Sequence, residues 1–113
     1  MGNELKLYGI KNCDTVKKAC KYLGVQSVSY EFVDFRKNPL SAEIIKDWIE
    51  AVGWDMLLNK RSTTFRNLPD AQKNNVTVEL LIEQPTLIKR PVLVCGLTVI
   101  VGFKPEQYSQ FIG

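Results

Sequence analysis

The order of apolar and polar residues predicts a two-layer α/β domain built on a mixed four-stranded sheet. Three observations predict it. Strand, helix and strand patterns follow one another within residues 5–35. Two apolar runs, "RPVLVCG" and "LTVIVGF", meet at Gly96-Leu97. A short helical pattern, "KPEQYSQFI", closes the chain.

Leu5 and Leu7, then Tyr8-Gly9-Ile10, read as an opening strand, with Gly9 and Asn12 marking its exit. From Asp14 the period turns helical. Val16, Ala19, Cys20 and Leu23 fall on one face, Lys17, Lys18 and Lys21 take the polar side, and Gly24 is the expected stop. "VSYEFVDF", from Val28, alternates and is rich in β-branched and aromatic residues, so it is expected to be a second strand. Strand-helix-strand over about 30 residues is a βαβ unit, right-handed and with parallel strands. "NPLSAEIIKDWIEAVG" predicts a helix capped at Ser41, with Ile44, Ile45, Trp48, Ile49 and Val52 on one face and Gly53 at its end. "WDMLLNKRSTTFRNLPDAQKNN" is denser in polar residues and is expected to hold short helices. "VTVELLIEQP" is ambiguous by composition, and Glu79 and Glu83 ahead of Pro85 tilt it to helix. The last two apolar runs predict a hairpin, and Pro105 fits the first turn of the final helix.

The 113 residues amount to one domain, long enough to bury a core without staples. With 45% hydrophobic and 24% charged residues the chain is expected to be ordered and globular. A net charge of +3 is too weak to argue for direct nucleic-acid binding, but suits a small anionic ligand if it is focused in one place. Three cysteines without a dense framework fit free thiols in a reducing compartment, and the N-terminus carries no secretory or myristoylation pattern. A cytoplasmic monomer is therefore expected. No apolar run approaches the roughly 20 residues of a membrane span.

There is no histidine. That removes Ser-His and Cys-His catalytic pairs, and the cysteine spacing matches no zinc template, so no metal site is expected. The chemistry-bearing candidate is Cys13. A thiol is useful as a thiolate, and a helix N-terminus favours the thiolate through its unpaired N–H groups and partial positive charge. Lys11 and Lys17 flank the position and Asp14 opposes them. Read the other way, Cys13 is a small residue at a helix start, but cysteine is a poor cap and Asn12 beside it a good one.

Cys13 is followed by Asp-Thr-Val, so the C-x-x-C redox motif is absent. Cys20 lies two turns along, about 10 Å away by helix rise, beyond the roughly 7 Å that a disulfide spans. Its face makes it a core residue. Cys95, inside an apolar run, reads as core as well, with the alternative that strand termini bring it near Cys13. Arg61, Arg90 and Lys104 read either as solvated surface groups or as anion-binding groups. Arg90 precedes Pro91, whose bond is the one kind that can be cis at low cost. The thiolate loop C-x5-R and the glycine-rich phosphate loops are missing.

"LYGIKNCDTVKKACKYL", "NKRSTTFRNL", "LIKRPVLV" and "VGFKPEQY" together resemble the ArsC/Spx-type branch of the thioredoxin-like proteins, in particular the bacterial YffB group. The resemblance implies a thioredoxin-like fold with β-α-β and β-β-α halves, and a helical insertion over about residues 41–84 of one domain, 1–113. It implies that Cys13 is the nucleophile and that Pro91 is the cis-proline against which a thiol peptide pairs. Three arginines surround the oxyanion in arsenate reductases. Arg61 and Arg90 match two of them, and the third position falls near Gly102-Phe103-Lys104, where Lys104 lacks the guanidinium fork. The YffB group looks like glutathione-dependent thiol reductases. The function so implied is a thiol–disulfide oxidoreductase with one nucleophilic cysteine and glutathione as co-substrate. No tightly bound cofactor is expected. Lys11, Asn12, Arg61, Arg90, Pro91 and Lys104 would hold the substrate. Arsenate reduction is the alternative enzyme reading. An Spx-like regulator that docks on a protein partner is the non-enzymatic one.

Overall fold

The computed structural model describes residues 5–11, 13–96 and 98–111. Its elements run β1 (Leu5–Gly9), α1 (Asp14–Val25), β2 (Glu31–Asp34), α2 (Ala42–Val52), α3 (Trp54–Leu57), α4 (Thr63–Arg66), α5 (Asp70–Lys73), α6 (Val78–Glu83), β3 (Val92–Cys95), β4 (Thr98–Val101) and α7 (Pro105–Tyr108). The chain divides into two compact units, one of Met1–Asn38 with Arg90–Gly113, the other Pro39–Lys89.

The first unit carries the sheet, in the order β2-β1-β3-β4. β1 and β2 are parallel, and β3 is antiparallel to both β1 and β4. This is the mixed sheet of a thioredoxin-like fold, with β-α-β first and β-β-α last. Register explains the core. Leu7 stands opposite Leu93 and Leu93 opposite Ile100, so the three form one apolar row across the sheet. Ala19 and Leu23 of α1 and Tyr108 of α7 cover that row, and all six are buried. An edge-to-face trio of Tyr22, Phe103 and Tyr108, with centroids 5.5–6.2 Å apart, ties α1 to the end of the chain. The Tyr108 hydroxyl donates to the Gly102 carbonyl at 2.9 Å.

Two boundaries differ from the sequence expectation. Helix α1 does not stop at Gly24 but runs through Val25, and Ser27 takes the positive φ of 58° that reverses the chain. The second strand begins at Glu31 rather than Val28, because the chain spends Val28–Tyr30 returning from the helix to the sheet. Val28 N–H still donates to the Leu23 carbonyl, at 3.0 Å.

Gly9 is required by close approach. A Cβ there would lie 2.7 Å from Cγ2 and 3.0 Å from Cγ1 of Val16. Val16 is buried and β-branched, so it has no free rotamer to yield into. Gly9→Ala is expected to destabilise the protein by about 1–3 kcal/mol, read as a lowered urea midpoint with an unchanged slope.

In the second unit, Ser41 Oγ accepts the Ile44 N–H at 3.2 Å, which is the expected cap, and Gly53 ends α2 at φ 86°. Ser62 and Thr77 cap α4 and α6 in the same way. The ambiguous "VTVELLIE" is helical from Val78. Leu58 and Ile88 form an antiparallel bridge that closes the unit, with Asn59 N–H donating to the Leu87 carbonyl at 2.7 Å. Among the described residues no helix is long and apolar enough to cross a membrane.

Candidate functional site

Cys13 sits where β1 gives way to α1. Its N–H donates to the Ile10 carbonyl at 3.2 Å, and its own carbonyl accepts the first helical bond, from Lys17, at 3.0 Å. With φ −102° and ψ 125°, Cys13 is the extended residue directly ahead of the helix, so its side chain stands at the helix N-terminus. The residue is half-buried.

The antiparallel register brings the second partner. Val92 pairs with Tyr8, so Arg90-Pro91, just before β3, lies beside the end of β1 from which the chain leaves for Cys13. The Arg90-Pro91 bond is cis. The Pro91 carbonyl accepts the Gly102 N–H at 2.7 Å, which holds the start of β3 against the exit of β4. Lys104, directly ahead of α7, leaves the sheet at this same end.

The thiol titrates below its ordinary 9.0. Burial alone would push it up. The Val16 N–H, the Arg90 guanidinium by hydrogen bond and by charge, and the Thr15 N–H together outweigh burial. No capping hydrogen bond of ordinary geometry reaches the sulfur. The amides act instead on the thiolate, whose large sulfur accepts at longer range than a hydroxyl oxygen. Between the folded value and 9.0 the unfolded chain holds more protons, so this group's contribution grows as pH rises through that window. It is lost as pH falls through the folded value.

The sequence candidates do not all belong to one unit. Cys13, Arg90 and Pro91 come together at the sheet end. Lys11 is exposed on the β1–α1 turn, and Asn12 lies outside the described residues. Arg61 belongs to the helical unit, where it lines a cleft with Asn59, Lys60 and Lys89. The alternative that Cys95 approaches Cys13 is overturned. Cys95 pairs with Leu5, at the opposite end of β1 from the exit to Cys13, because β3 runs antiparallel. Cys20 packs against the core cluster on one side and meets a surface groove on the other, so it is not simply interior. It also faces Tyr30, whose phenol is pushed up to about 12 by burial and by its bond to the Cys20 sulfur. No disulfide links Cys13, Cys20 or Cys95.

Known proteins share this fold and sequence. The solved structure of a YFFB protein superposes with a TM-score of 0.90 at 42% identity, covering 96% of this chain and 99% of that one. A Brucella melitensis protein described as arsenate reductase (ArsC) related superposes at 0.75 and 43% identity, covering 96% and 93%. The regulatory protein MgsR of Bacillus subtilis is 31% identical over 95% of this chain and 89% of its own. The sequence model of the ArsC family matches residues 8–111. The chain belongs to the ArsC family.

Proposed function

We propose that the protein is a thiol–disulfide oxidoreductase that works with one cysteine and takes its resolving thiol from glutathione. The observation that carries this reading is Cys13 at the mouth of α1 with its pKa lowered against the Arg90 guanidinium. The Cys13 thiolate attacks one sulfur of a disulfide. A sulfur–sulfur bond forms to Cys13, the substrate's own bond breaks, and the departing thiolate takes a proton from water. A glutathione thiolate then attacks the substrate sulfur of the mixed disulfide, and Cys13 leaves as a thiolate. A thiolate stabilised in the reduced protein is the better leaving group, so Arg90 assists the second step as well as the first. Cys20 and Cys95 take no part, the first because of helix geometry and the second because of strand register.

Mass spectrometry after incubation with oxidised glutathione tests the reading. One glutathione adduct, on Cys13, is expected. An unmodified Cys13, or adducts spread over all three cysteines, would overturn it.

Membership of the ArsC family favours arsenate as a second oxidised substrate. Lys104 supplies a point charge where an arginine fork would grip an oxyanion. Arsenate-dependent consumption of glutathione in a coupled assay separates the two substrates. Similarity to MgsR favours a regulatory role. Capture of a protein partner that is indifferent to Cys13→Ser, with no thiol turnover, would support that role instead.

A further inference from the structure

One groove of the sheet-bearing unit is lined without Cys13. It lies between α1 and the outer strand β2 and has a volume of about 520 Å³. Its position follows from register. Phe32 pairs with Leu7 and Asp34 with Gly9, so both project from the sheet face that α1 covers. Because β2 is the last strand on that side, α1 leaves Phe32 only half covered. The opening so left has an apolar floor of Val16, Cys20 and Phe32.

Its rim is cationic. Lys11 comes from the β1–α1 turn, Lys17 from the first turns of α1, and Lys37 from the turn after β2. Three elements thus bring lysines to one apolar depression. Asp34 also lines the groove, but its Oδ1 accepts the Arg36 N–H at 2.9 Å and the Lys37 N–H at 3.4 Å, which engages the carboxylate within its own turn. The net rim charge is therefore positive. The volume falls in the range of small-molecule sites, and an apolar floor with a few charges at the edge is their usual make-up.

We propose that this groove binds a small amphipathic anion, with a short aliphatic or aromatic body on Val16, Cys20 and Phe32 and a carboxylate among Lys11, Lys17 and Lys37. The body removes the floor from water, and the carboxylate relieves the mutual repulsion of the three ammonium groups. The site needs no chemistry at Cys13 and shares only Lys11 with the residues expected to hold the thiol substrate. An occupant would nevertheless cover the Cys20 thiol, which gives a direct readout.

Octanoate is the probe and octan-1-ol its uncharged control. Amide shifts of the full chain are followed by two-dimensional NMR up to about 10 mM octanoate, which spans weak affinities. Expected are saturable shifts at Val16, Lys17, Cys20 and Phe32, and slower alkylation of Cys20 in a Cys13→Ser background. Octan-1-ol should bind at least roughly fivefold more weakly, as should octanoate to Lys17→Gln/Lys37→Gln, the scale expected for exposed ion pairs. Absence of saturable shifts, shifts scattered over the surface, or equal binding of octan-1-ol would overturn the proposal. Shifts confined to the Glu31–Asp34 backbone would also overturn it, since they would mean addition of a strand to the sheet edge.

Discussion

Cys13→Ser is expected to abolish the glutathione adduct and all thiol turnover while leaving the protein folded. A serine hydroxyl is not ionised at neutral pH, so the helix N-terminus and Arg90 have no anion to stabilise. The substitution is nearly isosteric at a half-buried position, and the backbone bonds from Cys13 N–H to Ile10 and from Lys17 N–H to the Cys13 carbonyl do not involve the side chain. Serine is also a better helix cap than cysteine, so the urea midpoint should hold or rise slightly. The loss of activity should be complete rather than partial. Cys20 stands two turns away along the helix, and Cys95 lies opposite Leu5 at the far end of β1. Intact-mass analysis after oxidised glutathione and a turnover assay check this. Residual turnover in the serine variant would mean that another thiol does the work.

Leu93→Ala is expected to have the largest effect on stability, about 2–5 kcal/mol. Leu93 is 0% exposed and lies on β3, which is paired on both sides. Its side chain sits in the row from Leu7 to Ile100 under Ala19, Leu23 and Tyr108. Truncation leaves a cavity that flanking strands cannot collapse into, because both are fixed by ladder hydrogen bonds. Against a total of about 5–15 kcal/mol for a domain, this is a large fraction. Urea unfolding followed by circular dichroism measures it. A loss under about 1 kcal/mol would show that the row is not the centre of the core.

Periodicity made most of this legible. The face of Val16, Ala19 and Leu23 identified α1 and its buried side, and Ser41 and Gly53 bounded α2 as cap and stop. Cys13 could be placed at a helix start from local order alone. Gly24 failed as a stop because glycine is tolerated in a last turn when the reversal can be made further on, here at Ser27. Partnerships across the sheet were less visible. Arg90 and Cys95 are five residues apart in sequence, and sequence alone lets either meet Cys13. Only the antiparallel register of β3 on β1 puts Arg90 at the Cys13 end and Cys95 at the other. The α1–β2 groove was invisible for a similar reason. Lys11 and Lys17 read as charges flanking Cys13, and only the position of β2 as the outer strand gathers them with Lys37.

The central claim is that Cys13 is held as a reactive thiolate by the start of α1 and by Arg90. The most direct test is the rate of iodoacetamide alkylation of Cys13 against pH, in the wild type and in Arg90→Gln. The wild-type profile should rise with a midpoint below the ordinary 9.0. In Arg90→Gln the midpoint should move upward and the rate at pH 7 should fall several-fold, since the guanidinium's bond and charge are both removed. A wild-type midpoint at or above 9.0, or one that the Arg90 substitution leaves unmoved, would contradict the account.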